Sequence, residues 1–337
     1  MTFQKRMFRL ASTVSLVAVL GGLAACSGAD QTATTDDGAT GETADAGSGV
    51  SGSIAIDGSS TVFPISEAMA EEFQKVNPDV QITVGASGTG GGFEKFCNGE
   101  TQISDASRGV KPEELEACAE NGIEMIEVPV ATDALTVVVN PENDWVSCIT
   151  LDELATIWGP DAQGNIDNWN QVNPEYPDAE LVLYGPGTDS GTFDYFTDVV
   201  NGEEGASRGD YTSSEDDNVL VQGVVGDVNA MGYFGYAYYF ENQDSMKSLE
   251  IDGGEGCVAP TEENVLSGAY TPMSRPLFIY VSKNALEEDP AVQEFIDFYL
   301  NPENSAFVAD TGYVILNDEQ YTASKSKVDS GEVKTAE

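Results

Sequence analysis

The chain contains no histidine. That absence removes the Ser-His-Asp and Cys-His triads, and it leaves His-ligated zinc hydrolases without their ligands. A hydrolase built on this sequence would have to work with carboxylates alone. Basic residues are scarce as well: 14 Lys and Arg stand against 58 Asp and Glu, a formal charge of −44. Nucleic acids and anionic membrane surfaces are held through clustered Lys and Arg, so neither is an expected partner. The charge says less about a small ligand, because screening over roughly 8 Å at physiological salt lets a recessed site hold an anion under a negative surface. The five cysteines include no C-x-x-C pair, which argues against a thiolate metal site. No G-K-[ST] follows any glycine-rich loop, excluding a Walker phosphate loop, and beyond the first 25 residues no apolar run is long enough to span a membrane.

What is present begins with a leader. Lys5, Arg6 and Arg9 precede an apolar run from Leu10 to Leu20, the pattern of an export signal over residues 1–25. Its end, Leu23-Ala24-Ala25-Cys26, resembles a bacterial lipobox, which would make Cys26 the lipidated first residue of an extracytoplasmic, membrane-anchored protein. Residues 26–51 are Gly, Ala, Thr, Ser and Asp with almost nothing to bury, a flexible tether. With 337 residues and 41% hydrophobic composition, the chain has material for two ordinary domains with real cores.

From Gly52 onward, strand-like and helix-like segments alternate. Gly52 to Asp57 reads as a strand; Ile65, Ala68, Met69 and Phe73 then recur at helical spacing, with Pro64 suited to a first turn. Val80 to Val84 is a second strand, followed by a glycine-rich loop and a helix from Phe93. Thr101 to Arg108 reads as a buried strand ending in a charge, and Pro112 to Glu120 as a helix. Ile123 to Val130 and Ala134 to Val139 read as two strands separated by Ala131, Thr132 and Asp133. Leu181 to Tyr184 predicts a strand feeding a helix from Thr192 to Val200. The aromatic run from Ala230 to Phe240 has no interleaved basic residues, so it predicts a packed strand and helix instead of a stacking surface. The stretch after Gln320 is polar and expected to fray. This alternation predicts an α/β fold with mostly parallel sheets.

Three loops share one chemistry. Ser59-Ser60-Thr61, Ser87-Gly88-Thr89-Gly90 and Asp189-Ser190-Gly191-Thr192 each follow a strand and open a helix, offering hydroxyls and free backbone N–H groups but no lysine. One such turn alone would be a helix cap. Three in one chain predict a shared site for a small oxyanion.

The resemblance then becomes specific. Asp57-Gly-Ser-Ser-Thr-Val-Phe-Pro64, Gly88-Thr-Gly-Gly-Gly-Phe93, Ile103-Ser-Asp-Ala-Ser-Arg108 and Gly187-Thr-Asp-Ser-Gly-Thr-Phe193, in this order behind a lipobox, resemble the phosphate-binding proteins of bacterial phosphate ABC importers over nearly all of residues 52–316. The resemblance implies a periplasmic-binding-protein-like fold: two α/β lobes, residues 52–133 with 275–320 and residues 134–274, joined by two crossover strands as a hinge near Asp133 and Tyr270 to Pro276. Residues 321–337 form a polar tail in this scheme. It implies inorganic phosphate as ligand and ABC permease subunits as partner. It further implies a monomer with no cofactor, no metal and no catalytic activity. Its ligand residues are Ser60, Thr61 and the Val62 N–H in the first turn and Ser87 or Thr89 in the second. The fourth motif adds Ser190, the Gly191 N–H and Thr192. Arg108 closes the third motif, and Pro186 leaves the fourth uncharged. The pocket thus keeps one guanidinium suited to a tetrahedral oxyanion, with Asp105 or Asp189 as candidates to orient it. Four cysteines besides Cys26 in an oxidising compartment suggest two disulfides; Cys97–Cys118 with Cys148–Cys257 is the pairing expected, because it keeps each bond inside one lobe.

Other readings stand beside this one. Asp189-Ser-Gly-Thr and Asp310-Thr-Gly-Tyr both match the D-[ST]-G core of aspartic proteases, whose paired carboxylates need no histidine. Their surroundings, a Gly-Pro-Gly-Thr turn and a helical Phe-Val-Ala, are not the apolar strand ends of such enzymes. Sulfate or another tetrahedral oxyanion would use the same donors. A surface adhesin fits the leader and the charge but leaves the three turns without a purpose.

Overall fold

The computed structural model describes residues 49–188 and 190–335. The leader, Cys26 and the tether as far as residue 48 lie outside the described residues, as does Asp189. The chain opens with β1 (Gly52–Gly58), α1 (Phe63–Val76), β2 (Val80–Gly85), α2 (Thr89–Cys97), β3 (Ile103–Ala106), α3 (Pro112–Glu120) and β4 (Met125–Val139). Next come β5 (Cys148–Thr150), α4 (Leu151–Trp158), α5 (Trp169–Val172), β6 (Val182–Gly185), α6 (Gly191–Asn201), β7 (Thr212–Ser213), α7 (Asp217–Gly226) and β8 (Ala230–Gly235). The chain continues through α8 (Tyr236–Asn242), β9 (Lys247–Ser248), β10 (Glu250–Asp252), β11 (Cys257–Val258) and α9 (Glu262–Leu266). It returns through β12 (Ser274–Ser282), α10 (Lys283–Glu288), α11 (Pro290–Tyr299), α12 (Ser305–Ala309), β13 (Val314–Ile315) and α13 (Asp318–Ser330).

One sheet in the order β2-β1-β3-β12-β4-β8-β6-β7 runs through both lobes, and a smaller sheet is ordered β11-β10-β5. Parallel pairs stand at both ends, β1 with β2 and β3, and β6 with β7 and β8. The centre differs from the mostly parallel expectation: β12 and β4 are antiparallel to each other and to β3 and β8 beside them. The reason is topological, since the chain crosses outward once on β4 and back once on β12.

The two strands expected on either side of Ala131, Thr132 and Asp133 are one. β4 is unbroken because these residues pair with Leu277, Pro276 and Arg275 of β12, and Thr132 and Ala131 also pair with Val314 and Ile315 of β13. Ladder partners on both sides keep a locally polar stretch extended.

Two hydrophobic cores form. In the first, α1 buries Ile65, Met69 and Phe73 along one face, and Phe73 meets Phe295 and Phe298 edge-on at 5.3 and 5.4 Å. The second gathers Trp158, Trp169, Phe196 and Tyr233, with Phe196 stacked on Tyr233 at 3.7 Å. Thr150 starts α4 with a reciprocal cap: its hydroxyl accepts from the Glu153 N–H and its own N–H donates to the Glu153 carboxylate. The aromatic run from Ala230 is, as expected, a strand and a helix, with Met231, Tyr233 and Phe234 fully buried. The disulfides are Cys97–Cys118 and Cys148–Cys257, the expected pairing.

The expectation of a frayed tail is corrected. Residues from Asp318 form α13, which buries Tyr321, Ser324 and Val328. The Ser324 hydroxyl donates to the Pro129 carbonyl at 2.9 Å, and the Gln320 amide donates to the Leu266 carbonyl at 3.2 Å. A helix that covers only one narrow stripe keeps its other faces polar, which is why composition alone misjudged it. Among the described residues no helix is long and apolar enough to cross a membrane.

Candidate functional site

The first turn depends on a close approach. Gly58 has φ +151°, and a Cβ there would lie 2.1 Å from the Asp105 carbonyl oxygen, so only glycine lets β1 end against β3. The Ser59 N–H donates to that carbonyl at 2.9 Å, and the Ser59 hydroxyl accepts from the Thr61 N–H at 3.2 Å. α1 then begins with no side-chain cap, and α2 likewise begins after Gly88, at φ +81°, with none. α2 therefore presents first-turn N–H groups without a side-chain cap, whereas in α1 Pro64 has no N–H and those of Phe63, Ile65 and Ser66 donate to the Ser59 and Val62 carbonyls. α6 differs, since the Ser190 hydroxyl accepts from the Thr192 N–H at 3.2 Å.

The first two turns meet at a cleft of about 340 Å³. One lobe contributes Ser59, Ser60, Thr61, Thr89, Ser107 and Arg108; α6 and the loop after it contribute Asp194, Tyr195, Asp198 and Glu204; Arg275 enters from β12. A Cβ on Gly191 would lie 3.8 Å from Thr61 Oγ1, so the fourth motif abuts the first. Thr89 is fixed by the Ser107 N–H, which donates to its hydroxyl at 3.3 Å, and by the Ser107 hydroxyl at 3.2 Å.

Residues 43–303 match the model of the PBP superfamily domain. The chain is 49% identical to Protein SphX of Synechocystis sp. over 84% of each chain. It is 39% identical to the phosphate-binding protein PstS of Staphylococcus saprophyticus, covering 86% of this chain and 88% of that one. The chain belongs to the PstS family of the PBP superfamily. A crystal structure described as a possible phosphate binding protein from Planctomyces limnophilus superposes with a TM-score of 0.80 at 45% identity, covering 84% of this chain and 99% of that one.

Within this PstS-family cleft, the residues expected from sequence separate into groups. Ser60, Thr61, Thr89 and Arg108 line it. Ser190, Gly191 and Thr192 form the start of α6, one turn before the lining residues Asp194 and Tyr195. Val62 is fully buried as the N-cap of α1. Ser87 is turned away: its hydroxyl and its N–H both donate to Asp57. Asp57 also accepts from Lys95 at 2.5 Å; burial acts to raise its carboxyl, but the hydrogen bonds from Lys95 and Ser87 outweigh this and hold it below its ordinary value.

Arg108 is oriented by a residue the sequence reading did not name. Glu114 of α3 accepts from both of its terminal nitrogens, at 2.9 and 2.7 Å, and this pairing raises the arginine's already high pKa. Asp105, one of the two expected partners, is instead fully buried behind the first turn, where it accepts from the Ser66 hydroxyl at 2.8 Å. Arg275 is the main residue that was missed. Its Nε donates to Asp133 Oδ2 at 3.1 Å, its Nη2 lies 3.4 Å from Thr61 Oγ1, and its guanidinium lies 3.7 Å from the Tyr195 ring centroid. Asp133 offered a signal: a carboxylate inside a long apolar strand run calls for a cationic partner.

A second cavity, about 390 Å³, opens behind the crossover strands among Pro129, Val265, Leu266, Phe278, Leu316 and α13. Its wall is largely apolar, with Arg275 and Lys327 at its margin. Asp310 is exposed at the end of α12, away from both cavities, and its supposed protease partner Asp189 lies outside the described residues. Glu250 clusters with Cys148 and Cys257 in a metal-like arrangement, but both thiols are spent in a disulfide.

Proposed function

We propose that this protein captures inorganic phosphate outside the cytoplasmic membrane and hands it to the permease of an ABC importer. The observation that carries the reading is a single cleft that collects the N-terminus of α2, which has no side-chain cap, the Thr61 and Thr89 hydroxyls, and two of the chain's 14 basic residues. The names of its PstS-family relatives support the same ligand. Lobes bounded near Asp133 and Arg275 close on the anion, because the closed state alone completes contacts from both sides. Lipid on Cys26 tethers a monomer to the membrane, and the protein binds without catalysing a reaction.

Asp194 favours phosphate over sulfate. It lines the cleft opposite the two guanidinium-bearing residues Arg108 and Arg275. A carboxylate there accepts a hydrogen bond from a protonated phosphate oxygen. Fully ionised sulfate has no proton to give, and at this carboxylate it meets repulsion.

Calorimetric titration of the mature chain with phosphate and then sulfate tests this. One phosphate per chain is expected, with sulfate at least a hundredfold weaker. Arg108→Ala and Ser190→Ala should each weaken phosphate binding at least tenfold, about 1.4 kcal/mol. Wild-type affinity in both variants would show that the anion sits elsewhere.

A further inference from the structure

We propose that Arg275 is a direct ligand of the bound anion, and the side chain through which the anion's charge engages both lobes at once. The proposal deepens the phosphate reading and rests on it. Arg108 is largely committed, with both terminal nitrogens held by Glu114. Arg275 is not: Nε serves Asp133 and Nη2 reaches Thr61, while Nη1 makes no hydrogen bond among the described residues. Its guanidinium lines the cleft and is stacked on Tyr195. A guanidinium covered on one face by an aromatic ring keeps its N–H donors in its own plane, directed at whatever lies beyond the ring edge. On the side of Thr61 and Tyr195, what lies beyond this one is the anion cleft.

Position adds the second half of the argument. Arg275 pairs in register with Asp133, so it stands on one crossover strand and is bonded to the other. Thr61 belongs to the first turn of one lobe, and Tyr195 to α6 of the other. One cation thus touches both crossovers and both walls of the cleft. An oxyanion bound at Nη1 pulls on all four.

The test is a calorimetric titration with inorganic phosphate on wild type, Asp133→Asn, and Asp133→Asn carrying either Arg275→Gln or Arg275→Lys. Working in the Asp133→Asn background avoids leaving a buried carboxylate without its cation. Asp133→Asn loosens the hold on Arg275, so it serves as the reference against which the two double variants are read. Arg275→Gln should lose at least thirtyfold relative to Asp133→Asn with a melting temperature within a few degrees, and Arg275→Lys should recover at least fivefold of that loss by restoring charge. Glutamine binding within threefold of Asp133→Asn overturns the proposal. So does a loss that lysine fails to recover, which would mean that packing alone had been disturbed. Absence of phosphate binding by wild type would instead remove the phosphate reading itself, and this proposal with it.

Discussion

Gly92→Ala should destabilise the protein by about 3 kcal/mol, lower the melting temperature by roughly 5 °C, and weaken phosphate binding sharply. A Cβ at this position would fall 2.5 Å from Gly58 Cα, 2.8 Å from the Asp57 carbonyl oxygen and 2.9 Å from Ser104 Oγ. Two of these obstacles are backbone, so no rotamer change relieves them and α2 must move as a body. That movement carries Thr89 and the start of α2 away from Thr61 and the start of α1, and the spacing of the two turns is what a small anion reads. Gly90→Ala is the control, because in the same helix its nearest neighbour would be Arg108 Nη2 at 4.0 Å. That variant should stay within about 1 kcal/mol of wild type, since helix propensity favours alanine. Equal melting curves for the two variants would show that the contact between α2 and the first turn constrains nothing.

The second large effect is a pH dependence of stability that centres on Asp105. This carboxyl is fully buried, one oxygen accepts from Ser66, and the other has no partner among the described residues. Burial, with the Asp57 charge adding to it, pushes its pKa from 3.8 up to about 7. The folded state therefore holds this proton more tightly than the unfolded chain does. Its contribution is fully present below pH 3.8 and is lost as pH rises toward 7. Between pH 5 and pH 8, wild type should lose about 3 kcal/mol from this group alone, or roughly 5 °C in melting temperature. Asp105→Asn keeps an acceptor for Ser66 and cannot ionise, so calorimetry across the same range should show a flatter profile for it. Parallel profiles would mean that Asp105 is ionised in the folded protein throughout.

Much of the fold could be read from local signals. α1 and α3 announce themselves by apolar spacing and by proline at the first turn. These are properties of neighbours in sequence, and periodicity reports them faithfully. β4 and α13 were misread for the opposite reason. Asp133 is tolerated inside β4 only because Arg275, 142 residues away, stands opposite it. α13 persists through contacts with Pro129 and Leu266 that its composition does not reveal.

The site divides along the same line. Hydroxyl and glycine turns mark themselves, and Ser60, Thr61, Thr89 and Arg108 do meet. Whether a hydroxyl faces the ligand or its own scaffold depends on a distant acceptor. Asp57 claims Ser87, and nothing near Ser87 in the sequence says so. Arg275 lies in no glycine-rich motif, and it enters the cleft only because β12 crosses beside β4.

The pairing of the two crossovers has a mechanical consequence. They are hydrogen-bonded to each other across the junction, from Leu277 and Ala131 to Ser274 and Ala134, with the Leu135 N–H donating to Met273 beyond. Two independent linkers would allow the bodies they connect to swivel, slide and splay. A hydrogen-bonded ribbon resists sliding, because shear breaks its ladder, and it yields readily only to flexure and twist about its own axis. Sliding of one body past the other is thereby disfavoured relative to bending across the ribbon.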